Sequence, residues 1–210
     1  MRILLIRHGE SRGNAEGRAQ GLNDERLTEL GHAQAHALAQ RLQQEFNICA
    51  IHASPLQRAV ETAEHVSRLC GRPVAIHQYL REYDCGDITG LTIAEVGCRF
   101  PELARSWASS AVWPPIPGEE GRDVFLRRVM AAMSDITSAH QPEDTVAVVA
   151  HGGTCSAYLA GLLGTDYCQR QPWVLDNASL SSVVLDGVCP RVALLNDTCH
   201  LNFVRRDQKP

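Results

Sequence analysis

Two short apolar runs, each ending in a histidine followed by glycine, constrain the fold of this chain more than any other feature. Ile3 to Ile6 leads into Arg7-His8-Gly9-Glu10, and Val146 to Ala150 leads into His151-Gly152-Gly153. A run without polar alternation is the pattern of a strand buried on both faces, and such strands belong to parallel sheets covered by helices. Helical spacing follows from Thr28, a suitable N-cap, with Ala35, Leu38, Ala39, Leu42 and Phe46 on one face. Ile48 to His52 reads as the second strand. In Ser54-Pro55-Leu56-Gln57 a serine N-cap, a proline at the first helical position and a glutamine three residues after the cap specify a helix start, continued by Ala59, Ala63, Val66 and Cys70. Val74 to Ile76 is a further short strand. A helix is expected over Asp123 to Ser138, another over Thr154 to Leu163, and two closing strands over Ser181 to Leu185 and Val192 to Leu195. Strands and helices in alternation predict an α/β fold with a mostly parallel central sheet.

At 210 residues the chain is expected to form a single domain, 1-210. Between about residues 85 and 122 the pattern loosens, with glycines, prolines and two of the three tryptophans, as expected of a small inserted, partly helical cap. Trp107 and Trp113 either line a substrate mouth or form the cap's own core. With 20 Lys and Arg against 24 Asp and Glu, the net charge of -4 gives no global basic field, which argues against nucleic acid and against a polybasic membrane surface. Lys209 is the only lysine, so an anion site must be built from arginine, histidine and backbone N-H groups. Four apolar residues before Arg7 are too few for a signal-peptide core, and a cytoplasmic location is expected. The stretch from Thr145 to Thr165 lacks Asp, Glu, Lys and Arg, yet its histidine, glycines and hydroxyls fit a strand, a loop and a helix better than a membrane span. The eight cysteines include no C-x-x-C pair, so reduced, mostly buried thiols are expected and a zinc site is disfavoured. His32 and His36 are read as surface histidines. The tail strands are expected to offer an edge for a homodimer.

In doubly wound sheets ligands bind beyond the carboxyl ends of the strands, so His8 and His151 are expected to face one crevice. The glycine after each would let backbone approach a ligand. The second strand delivers Arg58 to the same edge, in the first turn of its helix, where free N-H groups favour an anion. A further strand leads to Leu80-Arg81-Glu82. Two histidines, two arginines and a carboxylate suit a transferring phosphoryl group: arginine matches phosphate geometry, imidazole serves as a nucleophile, and a carboxyl group protonates an alkoxide.

Leu5-Ile6-Arg7-His8-Gly9-Glu10-Ser11 with Asn14 resembles the signature of the histidine phosphatase superfamily, also called phosphoglycerate mutase-like. The resemblance runs through Gln20-Gly21, Leu27-Thr28 to Gly31, Ser54-Pro55 to Arg58-Ala59, Leu80 to Glu82, Ala150-His151-Gly152 and Asn177-Ala178-Ser179, covering nearly the whole chain apart from the cap. It implies a three-layer α/β/α sandwich, no cofactor and no metal. It also implies His8 as the phosphorylated nucleophile, Glu82 as general acid and then base, and Arg7, Arg58 and His151 as the phosphate pocket. Asn14, Gln20, Gly21 and Gly152 would contact phosphate or substrate. The partner implied is a small-molecule phosphate ester.

The family holds phosphatases and mutases. Mutases resemble one another in a longer insertion with a lysine and tandem arginines, and in a tyrosine where this chain has Cys85. Here Gln20 replaces a small hydroxyl residue, and the tandem Arg127-Arg128 lies in the helix after the cap. Gly118-Glu119-Glu120 resembles the phosphatase branch. A phosphomonoesterase is therefore expected, with a cofactor-dependent phosphoglycerate mutase as the alternative and a non-catalytic phospho-ligand binder as the third reading.

Overall fold

The computed structural model describes residues 1–202 and 204. Its six strands are β1 (Arg2–Arg7), β2 (Ala50–Ala53), β3 (Val74–Ile76), β4 (Thr145–Ala150), β5 (Leu180–Val184) and β6 (Arg191–Asp197). They form one sheet in the order β3-β2-β4-β1-β5-β6. The first four strands run parallel, β5 lies antiparallel to β1, and β6 antiparallel to β5.

Because side chains alternate across a strand, the uninterrupted apolar runs serve two cores at once. Ile3, Leu5, Val146 and Val148 pack with Phe125, Val129 and Ile136 of helix α6 (Arg122–Ser138) and with Leu159 of α7 (Gly152–Leu163). On the other face Leu4, Ile6, Ala147 and Val149 pack with Leu38 and Leu42 of α2 (Glu29–Glu45) and with Ala59 and Val66 of α3 (Gln57–Cys70). Burying a large aliphatic or aromatic side chain contributes about 1.5–3 kcal/mol, so the three α/β/α layers are held by both faces of the same strands. Thr28 caps α2 as its sequence predicts, its hydroxyl accepting from Gly31 N at 3.0 Å. The stretch from Thr145 to Thr165 is a strand and a helix, and among the described residues no helix is long and apolar enough to cross a membrane.

Between residues 85 and 122 the chain forms α4 (Ile93–Arg99) and α5 (Pro101–Ser109), which build a small separate core from Ile88, Leu91, Val96, Leu103 and Ile116. Thr92 and Glu95 start α4 with a reciprocal capping box. A four-residue turn of helix, α1 (Arg12–Ala15), follows the first histidine.

Three local expectations are corrected. The second strand begins at Ala50, because Ile48 and Cys49 still belong to the approach from α2. Ser54 is not a helix N-cap. Helix α3 starts at Gln57 behind Leu56, and the Ser54 hydroxyl instead meets His151, a buried ring that needs a partner. The cysteines are free but not mostly buried: Cys155 alone is buried, and Cys98, Cys189 and Cys199 are exposed because they sit on helix ends and turns.

The glycines flanking the first histidine have a packing reason. A Cβ on Gly31 would run into the Glu10 carbonyl, and one on Gly9 into the Gly31 carbonyl, so α2 docks backbone to backbone on the loop that carries His8. The Gly31→Ala variant is expected to lose about 1–3 kcal/mol, as overpacked sites do. Chemical denaturation checks this, and an unchanged midpoint contradicts it.

Candidate active site

The register of β1 on β4 pairs Arg7 with Ala150. The chain therefore leaves the sheet at His8 and His151 side by side, with His8 N donating to Ala150 O at 3.0 Å. The two imidazoles meet edge to face with centroids 5.2 Å apart. The Nδ1 of His8 lies 2.7 Å from the carbonyl oxygen of Gly9. A carbonyl only accepts, so Nδ1 carries the proton and Nε2 keeps its lone pair. Burial, then Arg58 and Arg7, push the His8 pKa well below the usual histidine value. His8 is thus a neutral imidazole with a fixed tautomer, the form required of a nitrogen nucleophile.

His151, the residue before α7, is fully buried behind His8, with Nε2 2.7 Å from Ser54 Oγ. Burial first, then Arg58 and His8, keep it neutral as well. Its Nδ1 has no partner among the described residues, and neither do the buried Nε atoms of Arg7 and Arg58. Arg58 is the largest fully buried side chain among the described residues, held by Nη1 to Asn23 O at 2.6 Å and Nη2 to Gly21 O at 2.9 Å. Arg7 donates to Leu175 O. Desolvation is the leading pull on both guanidiniums and lowers their pKa values, yet guanidinium remains charged in proteins.

Glu82 reaches the crevice from beyond β3. Its two oxygens accept from Tyr83 N at 2.8 Å and Gly153 N at 2.9 Å, so the first turn of α7 holds the carboxylate. A Cβ on Gly153 would occupy the place of Glu82 Oε1, so any larger residue there would have to displace the carboxylate from this position. The segment carrying Glu82 is clamped from α6. Arg128 pairs with Glu120 at 2.6 Å and donates to the carbonyls of Tyr79, Arg81 and Glu82 at 2.8–3.0 Å.

The crevice encloses about 600 Å³ and is lined by Arg7, His8, Asn14, Gln20, Gly21, Arg58, Glu82 and Gly152, the sequence candidates other than His151. The oxygen of Asn14 already accepts from Ser11 N at 3.2 Å and Asn177 Nδ2 at 3.0 Å, so its amide N-H groups are what it offers. The hydroxyl of Ser11 donates at 2.7 Å to Gln20 Oε1. Sequence reading missed Ser54, Asn177 and Arg122. Asn177 Nδ2 donates to the His8 and Gly9 carbonyls at 3.2 and 3.3 Å, and it was legible only as one residue of the closing motif. Gly9 makes room for α2, whereas Gly152 lies in ordinary contact with Arg7 and lines the crevice. The two cap tryptophans divide. Trp113 lines the crevice, whereas Trp107 packs on the small core.

The sequence pattern of the histidine phosphatase superfamily (branch 1) matches residues 3–198. The chain belongs to the histidine phosphatase superfamily. It is 33% identical to phosphoserine phosphatase 1 of Hydrogenobacter thermophilus over 201 residues, covering 96% of this chain and 94% of that one. It is 34% identical to glucosyl-3-phosphoglycerate phosphatase of Mycobacterium tuberculosis over 168 residues, covering 77% and 75%. Among solved structures, Bacillus stearothermophilus YhfR superposes with a TM-score of 0.86 at 30% identity, covering 96% of this chain and 99% of that one. This histidine phosphatase is a phosphomonoesterase, and the fold expectation of a three-layer sandwich holds.

Two outcomes follow from the geometry. The ordinary pKa of histidine is near 6.5, and those of His8 and His151 are depressed in the fold. Below pH 6.5 the unfolded chain takes up protons that the fold refuses, so stability is complete above that pH and falls as the solution is acidified. Thermal melts from about pH 7.5 to about pH 5, a range that spans that pKa, should show a decline that is shallower in His8→Asn; an equal decline contradicts the assignment. Secondly, Arg128→Met leaves Glu120 unpaired and is expected to cost about 3–5 kcal/mol. It should also lower kcat more than it raises KM, because it frees the Glu82 segment.

Proposed function

We propose that hydrolysis proceeds by transfer of the phosphoryl group to His8 and then to water. The observation that carries this reading is a neutral histidine, its Nδ1 held by the Gly9 carbonyl, beside buried Arg7, Arg58 and His151 nitrogens that lack partners. Buried donors without acceptors are rare, and a phosphate dianion supplies the acceptors that these need. In the first step His8 Nε2 attacks phosphorus as the bond to the ester oxygen breaks. Glu82, in its protonated form, gives its proton to the departing alkoxide. Water then attacks phosphorus, Glu82 takes the water proton, and the phosphorus-nitrogen bond breaks to release inorganic phosphate and restore His8.

The outer crevice supports a leaving group with an anion of its own. Among the described residues Glu82 is its only lining carboxylate, against Arg7, Arg18, Arg58, Arg122 and Arg170. Arg18 is paired with Glu16 and Glu95, and the phosphate charge answers Arg7 and Arg58. Arg122 and Arg170 remain, Arg122 stacked 5.3 Å from the Tyr83 ring centroid and 5.2 Å from that of Trp113, and Arg170 4.8 Å from the Trp113 ring centroid. Aromatic rings fix a guanidinium without neutralising it. The names phosphoserine and glucosyl-3-phosphoglycerate, borne by relatives, both denote phosphate esters with a carboxylate. A small carboxylated phosphate ester is therefore the favoured substrate. The mutase alternative finds no lysine before Lys209, which lies outside the described residues, and every cation lining the crevice among the described residues is an arginine.

His8→Ala should abolish release of phosphate from any ester, and Glu82→Gln should slow alkyl esters far more than an aryl ester with a good leaving group; undiminished His8→Ala activity overturns the mechanism. Arg122→Gln should raise KM roughly 10- to 100-fold for a carboxylated ester, as loss of a charge-assisted hydrogen bond does, while leaving an aryl phosphate with an uncharged leaving group unaffected. Equal effects on both esters contradict the substrate reading.

A further inference from the structure

At the amino ends of the strands, across the sheet from the crevice, a second cluster of reactive side chains is assembled from segments far apart in sequence. Cys49 stands at the entrance to β2, His140 follows the end of α6, and Asp144 closes the turn before β4. One ligand-type atom from each lies within 4.8 Å of the others. The backbone sets this meeting: Cys49 N donates to Thr145 O at 3.0 Å, and Asp144 N donates to Gln141 O at 3.0 Å. Asp144 Oδ2 in turn accepts from Gln141 N at 2.8 Å, which orients the carboxylate.

His140 is held at both ring nitrogens. Its Nδ1 lies 3.8 Å from Asp144 Oδ2, and its Nε2 lies 3.1 Å from Nε2 of His52 on β2. The two Nε2 atoms share one hydrogen bond, whose donor is set by the tautomers of the rings. When His140 Nε2 is the donor, its Nδ1 lone pair faces Asp144, the tautomer that a bound cation selects. An imidazole whose far N-H is tied to an acceptor is the arrangement that fixes tautomer and direction in metal-ligating histidines. Neither Cys49, His140 nor Asp144 is fully exposed, and none takes part in the phosphoryl chemistry.

We infer that Cys49, His140 and Asp144 form a zinc site, with His52 as the positioning residue and solvent in the fourth place. Sulfur, imidazole nitrogen and carboxylate oxygen together favour zinc over magnesium or calcium, which prefer oxygen alone. Ligand atoms around tetrahedral zinc stand roughly 3.5 Å apart, by the usual bond lengths. The widest pair therefore needs to close by at most about 1.3 Å, which rotation of partly exposed side chains supplies. Binding replaces the sulfur-hydrogen bond with a zinc-sulfur bond, and the proton leaves to solvent. Zinc would tie the end of α6 and the turn before β4 to the start of β2, and thereby stabilise the fold without entering the crevice.

The test uses the full chain after chelator treatment, titrated with Co²⁺ as a spectroscopic stand-in and with Zn²⁺ in thermal melts. Wild type should show a thiolate-to-cobalt absorption band saturating at one ion per chain, and Zn²⁺ should raise Tm. Cys49→Ser should lose the band and the Tm shift while keeping phosphatase activity. His140→Ala should keep the sulfur yet bind at least tenfold more weakly, and His52→Gln should weaken binding roughly tenfold, as loss of an orienting partner does. Activity and metal-free Tm report whether each variant folds. His32, His36 and His65 cluster on α2 and α3 but supply no sulfur, so the band reports the Cys49 site separately. No band in wild type, or a band that survives Cys49→Ser unchanged, overturns the proposal.

Discussion

Because β1 and β4 lie side by side and parallel, with Arg7 opposite Ala150, the chain must leave the sheet at His8 and His151 in one place. Everything else in the site is arranged around that pairing. Helix α3 brings Arg58, α7 presents the Gly153 N-H that helps hold Glu82, and α2 closes on the His8 loop through glycine-to-backbone contact. The pairing itself rests on runs of apolar residues that feed both cores. The reactive histidine is thus placed by the most deeply buried part of the molecule, where its position is least able to drift.

Placing cations and neutral imidazoles in such a core is costly. Arg58 is enclosed, and burial is the leading force on the ionisation of His8, His151, Arg7 and Arg58 alike. The backbone offsets part of that cost: the carbonyls of Gly21 and Asn23 receive Arg58, and Gly9 receives His8. What the backbone leaves unmet, the unpartnered nitrogens of both arginines and His151, is what a phosphate dianion can meet. The site is therefore preorganised for the anion, with the donors fixed before charge develops.

The sheet, both pairs of packing helices and most of the crevice were legible from apolar runs and from motifs at strand ends. Periodicity records burial, and burial is what fixed those elements. Less legible were contacts between segments distant in sequence. Ser54 has every local mark of a helix cap, but a buried histidine claimed its hydroxyl. Arg128 reads as one of two adjacent helical arginines, and only the fold reveals that it, bonded to Glu120 and three carbonyls, holds the Glu82 segment. Arg122 and the aromatic rings around it come from residues 83, 113, 122 and 167, a meeting that no linear pattern marks.

The central claim is that phosphate resides for a time on one nitrogen of His8. Rapid mixing with an isotopically labelled phosphate ester, quenching in denaturant at alkaline pH within the first turnover, and peptide mapping test it directly. The account predicts label on His8 that builds to at most one phosphoryl group per chain, survives base and is lost in acid. Label on any other residue, or full turnover with no labelled protein at any time, would contradict it.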